Sequence, residues 1–304
     1  MSEQVPGGVV GSRLRAEGVR LGYDRRVVAE DLSVAVPDGS FTAIIGPNAC
    51  GKSTLLRALS RLLVPEAGEV VLDGRPLGGY RPKEAARRVG LLPQSSTAPD
   101  GITVADLVAR GRFPHQGLLR QWGSADEDAL WQAMEATGVD GLADRLVSEL
   151  SGGQRQRVWA AMVLAQQTPI LLLDEPTTYL DIAHQIELLD LFAGLHRAGS
   201  TIVAVLHDLN HAARYATHLV VMKAGAVVAT GHPSEVVTEA LVEDVFGLPC
   251  VVIDDPVSHT PLVVPRGGHW DARAEEPSTQ EVSAQEVSGR AAAPRPGGAG
   301  GRRG

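Results

Sequence analysis

Aromatic residues are scarce, at 4% of 304 residues. That disfavours a stacking platform for single-stranded nucleic acid, which lays bases on exposed rings. A basic excess is missing too: 28 Lys and Arg stand against 36 Asp and Glu, for a formal net charge of -8. Nucleic-acid-coating chains are ordinarily basic, so no nucleic-acid partner is expected. Cysteine occurs only as Cys50 and Cys250, too few for a disulfide scaffold and in keeping with a reducing compartment. No apolar run reaches the roughly 18 residues that a membrane-spanning helix requires. The first eight residues are polar and Gly-rich, unlike a signal peptide. What is present, 44% hydrophobic and 21% charged residues, suits a globular chain of one large or two ordinary domains.

Apolar patterning predicts strands over 14–21, 27–36, 41–45, 69–72, 170–173, 201–206 and 219–222. It predicts helices over 53–63, where Leu55, Leu56, Leu59, Leu62 and Leu63 share a face, and over 184–196. Between about 95 and 167 helical periodicity replaces strand patterning, which reads as a helical subdomain inserted into an α/β core. Strand–helix alternation implies a parallel sheet with helices on its faces. Residues 271–304 contain no Leu, Ile or Phe, and from 266 onward a disordered tail is expected, because such a composition buries too little to offset ordering entropy.

Gly46-Pro47-Asn48-Ala49-Cys50-Gly51-Lys52-Ser53 fits G-x-x-x-x-G-K-[ST] between a predicted strand and a predicted helix. Backbone amides and the helix N-terminus give such a loop positive potential for phosphates. Lys52 is expected on the β/γ-phosphates and Ser53 on Mg²⁺. Cys50 reads as a small side chain lining the loop. The apolar run 170–173 ends in Asp174-Glu175, and the run 201–206 ends in His207. Ligands of open parallel sheets sit beyond the carboxyl ends of the strands. Asp174 is therefore placed to hold Mg²⁺, Glu175 to polarise an attacking water, and His207 to meet the γ-phosphate. Ser151 and Gln154 in Leu150-Ser151-Gly152-Gly153-Gln154 have capping-box spacing, so a helix should start there, its two glycines leaving amides open to an anion. A second anion site so far along the chain suits a nucleotide held by another subunit.

Together these segments resemble the ATP-binding subunits of ABC transporters over about 14–265. In that likeness residues 46–53 are the Walker A loop and 150–154 the signature. Residues 170–174 are Walker B, followed by Glu175, and His207 is the switch histidine. Tyr23 matches the aromatic that stacks on adenine. Gln94, in Leu91-Leu92-Pro93-Gln94, matches the Q-loop glutamine that senses Mg²⁺ and the transmembrane partner. Asp181 matches the D-loop, and Thr54 follows the Walker A serine. A finer resemblance, to iron-siderophore importers of the ferric enterobactin type, rests on four segments. They are Arg110-Gly111-Arg112-Phe113-Pro114-His115-Gln116; residues 161–166; Leu206-His207-Asp208-Leu209-Asn210; and Asp254-Asp255-Pro256-Val257 with residues 260–265.

The resemblance implies a P-loop NTPase of α/β class, with a parallel-sheet core, an antiparallel β subdomain and the inserted helical subdomain. It implies Mg-ATP as substrate and two copies sandwiching two nucleotides. It also implies two transmembrane permease subunits, a substrate-binding protein acting indirectly, and a place on the cytoplasmic face of the membrane. Haem or cobalamin import and a non-transport ABC ATPase are the alternatives. Two positions depart from the family: Ala49 replaces a usual glycine, and Tyr179 stands where tryptophan is frequent in near relatives. A left-handed backbone at Ala49 would cost roughly 1–2 kcal/mol.

Overall fold

The computed structural model describes residues 11–23, 26–94, 97–117 and 122–267. The tail expected beyond 266 lies almost wholly outside them. Three sheets organise the compact unit that ends at Arg266.

The first sheet is antiparallel. It contains β1 (Leu14–Tyr23), β2 (Arg26–Val36), β4 (Ala67–Leu72) and β5 (Arg75–Pro76), in the order β2-β1-β4-β5. Alternation along β1 buries Leu14, Ala16, Val19 and Leu21 on one face, as a half-buried strand requires.

The second sheet is the core. It contains β3 (Phe41–Ile45), β6 (Val89–Leu92), β7 (Ile170–Asp174), β8 (Thr201–Val205), β9 (His218–Lys223) and β10 (Ala226–Gly231). The order is β10-β9-β3-β8-β7-β6, and every pair is parallel except β10 with β9. β3, β7 and β8 are buried throughout, which is why they read as unbroken apolar runs. The third sheet is the hairpin of β11 (Cys250–Asp254) and β12 (Pro261–Pro265).

Helix α1 (Lys52–Leu59) follows β3 and buries Leu55, Leu56 and Leu59 against the first sheet's core. Such burial stabilises by about 1.5–3 kcal/mol per side chain. The helix stops four residues earlier than the sequence pattern predicts. Arg61 takes a left-handed φ of 67°, the amides of Leu62 and Leu63 turn back to the Arg57 carbonyl, and Leu62 is 66% exposed. The apolar spacing of 55–63 thus continued past a chain reversal that it does not encode.

Helix α2 (Pro82–Ala86) precedes β6. Helices α3 (Val104–Ala109), α4 (Ser124–Ala136) and α5 (Gly152–Ala165) then share a separate cluster that includes Val104, Leu107, Met134, Val139, Val158 and Ala161. No strand interrupts the described residues from 97 to 167, apart from one bridge between Thr103 and Leu146. Helix α6 (Ile182–Arg197) covers β8, α7 (Leu209–Tyr215) follows it, and α8 (Pro233–Val236) and α9 (Glu239–Phe246) lead to the hairpin. β6, β10, β11 and β12 were not predicted. β6 and β10 are short edge strands, and the hairpin's pairing is set by contacts beyond its own sequence. His218 opens β9 and is half-buried.

Candidate functional site

The parallel core delivers four chain segments to one sheet edge. β3, β8, β7 and β6 are consecutive neighbours. Their carboxyl ends lead to residues 46–53, His207, Asp174 with Glu175, and Gln94.

The loop after β3 is built by two glycines. A side chain at Gly46 (φ 154°) would meet the Met222 carbonyl at 2.2 Å, and Gly51 caps α1 at φ 107°. Ala49 adopts φ 60°, the left-handed conformation expected to strain an alanine. Lys52 is buried, and its Nζ donates to the carbonyls of Gly46 (2.8 Å) and Pro47 (2.9 Å). Cys50 is buried beneath the loop, as suits a small lining residue.

The Ser53 hydroxyl donates to Oδ1 of Asp174 at 2.8 Å. Asp174 is buried, and that burial holds its carboxyl above the ordinary value; the Ser53 bond opposes the rise and Glu175 adds to it. Glu175 sits in a left-handed conformation, φ 52°, of the kind held only where surrounding structure enforces it. One of its oxygens lies 2.6 Å from Nε2 of His207, and the other accepts from Nε2 of Gln94 at 2.5 Å.

A cleft of about 270 Å³ joins these parts. Asn48, Ala49, Gly51, Lys52, Ser53 and Thr54 form one wall, Glu175 and His207 a second, and Tyr23 the rim. Arg26 and Val28 also line it and were missed. They lie at the start of β2, and no motif marks them. Arg57, on α1, donates to the Tyr23 hydroxyl at 3.2 Å and ties the rim to the loop helix.

The remaining predicted residues lie elsewhere. Ser151 caps α5 through the Gln154 amide (3.2 Å) while Gln154 Oε1 accepts from the Ser151 amide (3.1 Å), the reciprocal box that the spacing predicts. Gly152 and Gly153 face Tyr179 and Leu180. None of Ser151, Gly152, Gly153 and Gln154 lines the cleft. Gln156 binds this helix to the loop after Glu175, donating to the Pro176 carbonyl at 3.0 Å. Asp181 caps α6. Bonds from the His184 amide and imidazole hold its carboxyl below the ordinary value. Tyr179 beside it is 78% exposed.

The donor set fits a small hard cation. A hydroxyl, a buried carboxylate and a nearby carboxamide offer oxygen, the chemistry Mg²⁺ selects. Among the described residues no group of three or more His, Cys, Asp or Glu could hold a metal ion by itself.

Residues 29–178 match the ABC transporter family. The ferric enterobactin transport ATP-binding protein FepC of Escherichia coli (strain K12) is 60% identical over 257 residues, covering 84% of this chain and 95% of FepC. The chain belongs to the ABC transporter family. Within it, the siderophore transport system ATP-binding protein YusV of Bacillus subtilis (strain 168) is 51% identical, over 84% of this chain and 94% of that protein. A dimeric bacterial ABC transporter cassette superposes with a TM-score of 0.65 at 26% identity, covering 72% of this chain and 98% of that one. The chain is an ABC-type ATPase, and among its described residues no helix is long and apolar enough to cross a membrane.

Proposed function

We propose that this cassette hydrolyses ATP to energise uptake of a ferric siderophore through separate transmembrane subunits. The 60% identity to a ferric enterobactin transport protein across 95% of that protein's length carries the cargo assignment. The cassette extends over 14–265 with the helical subdomain at about 95–167, and two permease subunits hold it at the cytoplasmic face.

The nucleotide takes the cleft. Tyr23 stacks on the base, and the amides of 46–53 receive the phosphates with Lys52, whose ammonium leaves two loop carbonyls for phosphate oxygens. Ser53, Asp174 and Gln94 hold Mg²⁺, which neutralises phosphate charge when bound. Glu175 accepts a proton from the attacking water, and His207 positions the carboxylate and meets the γ-phosphate. The capped segment 151–154 lies outside its own chain's cleft, which supports its use on the nucleotide of a second copy, with Asp181 beside that seam. Two copies would thus close head to tail on two ATP, and hydrolysis would release them, a γ-phosphate-dependent switch.

Deleting the gene and measuring uptake of labelled ferric enterobactin, ferric hydroxamate, haemin and cobalamin separately tests the cargo. Loss of ferric siderophore uptake alone is expected. Loss of haemin or cobalamin uptake instead would reassign it.

A further inference from the structure

Asn210 and Val263 fall in two segments singled out in the sequence, neither residue lines the nucleotide cleft, and the structure joins them. Asn210 stands three residues after His207, and Val263 lies in β12, 53 residues further on. The Asn210 carboxamide pairs with both backbone groups of Val263: Oδ1 accepts from the Val263 amide at 2.7 Å, and Nδ2 donates to its carbonyl at 3.2 Å. The side chain thus imitates a neighbouring strand on the edge of β12 that faces away from β11.

Both ends of this clamp are rigid. On one side Asp208 caps α7, its Oδ1 accepting from the amides of Asn210 (2.8 Å) and His211 (2.9 Å). The Tyr215 hydroxyl then anchors the end of α7 to Asp190 at 2.9 Å. On the other side five residue pairs zip β11 to β12. Asp255 closes their turn by accepting from the Val257 amide at 2.8 Å, and Val263 is buried in the main core. His207 lies between the fixed end of β8 and the clamped start of α7. Its ring nitrogen must sit 2.6 Å from Glu175 while its side chain is about half exposed. Little local packing holds it there, so the chain direction entering α7 sets its aim.

We propose that Asn210 is a positioning residue for His207, which makes the β11–β12 hairpin part of the ATPase machinery. This rests on the reading of His207 given above. Misplacing a reacting group by about 1 Å can cost 10²-fold in rate while binding persists.

The full chain is compared with Asn210→Ala, His207→Ala and the double variant by phosphate release and ATP titration. Asn210→Ala is expected to lower kcat about tenfold with KM for ATP within about twofold. Asn210→Asp, which keeps an acceptor for the Val263 amide and loses the donor, should fall between. In the His207→Ala background the Asn210 change should cost less than about twofold, because residues acting through one another are not additive. A wild-type rate for His207→Ala overturns the reading of His207 itself. A slow His207→Ala combined with an unaffected Asn210→Ala, with a loss in KM alone, or with full additivity overturns the positioning role only. Should Asn210→Ala fail to fold, Asn210→Asp carries the same cycle.

Discussion

Oε1 of Glu175 lies 2.6 Å from Nε2 of His207, although 32 residues and the whole of α6 separate them in the chain. With Gln94 on the other oxygen, the carboxylate is held at both ends. The pair joins the end of β7 to the end of β8, and the water attacking a γ-phosphate would have to meet it.

Glu175→Gln keeps the shape of this arrangement and removes the proposed base. Phosphate release should fall by about 10²–10⁴-fold with ATP affinity retained. In the presence of Mg-ATP the variant should elute as a dimer on size exclusion. Normal turnover would remove Glu175 from the chemistry.

Ala49→Gly should stabilise the chain. The left-handed φ of 60° costs an alanine roughly 1–2 kcal/mol, and glycine gives back about 0.5–1 kcal/mol through its looser unfolded state. A net gain of up to about 1.5 kcal/mol is expected from urea unfolding, read as a higher midpoint at unchanged slope. An unchanged or lower midpoint would mean that the loop carries no such strain.

Arg112 is where the segment 110–116 is fastened. It is buried, with Nε on Asp126 at 2.9 Å and Nη1 on the Ala165 carbonyl (2.8 Å) and Gln167 Oε1 (2.9 Å). Arg112→Met strips the guanidinium from a buried carboxylate and should cost about 3–5 kcal/mol, measured by thermal unfolding. Arg112→Lys should recover little, since an ammonium lacks the planar fork that serves three acceptors. Full rescue by lysine would show that charge alone matters.

His218 supplies a pH dependence. Burial pulls its pKa below 6.5, so the unfolded chain binds this proton first as the pH falls. Stability contributed by the neutral ring is complete above the unfolded value and is lost as pH drops from about 6.5 toward the lower folded value. His218→Gln should flatten the decline in unfolding free energy between about pH 7 and 5. An identical slope in the variant would exclude His218 as a source.

Much of the site was legible in the sequence for a local reason. The residues 46–53 and 151–154 are turns into helices, where glycine placement and capping spacing act within a few residues. The box between Ser151 and Gln154 closes as that spacing requires. Arg26 and Val28 escaped notice because they reach the cleft only through tertiary packing of β2 beside the phosphate loop, Val28 lying against Gly51. Leu62 misled because apolar spacing says nothing about where Arg61 reverses the chain.

The sequence alone therefore determined which chemical groups stand at the strand ends: a glycine-rich loop of backbone amides, two carboxylates and an imidazole, each where an apolar run ends. The tertiary structure alone decided which of those ends meet. The order β3-β8-β7-β6 comes from parallel pairing across long crossovers, whose partners leave no local trace. It sets Ser53 on Asp174 and Glu175 on His207, while the packing of β12 against α7 sets Asn210 on Val263. Residues 151–154, a helix start that the sequence specifies so clearly, lie outside their own chain's cleft, the placement on which the proposed use by a second copy rests.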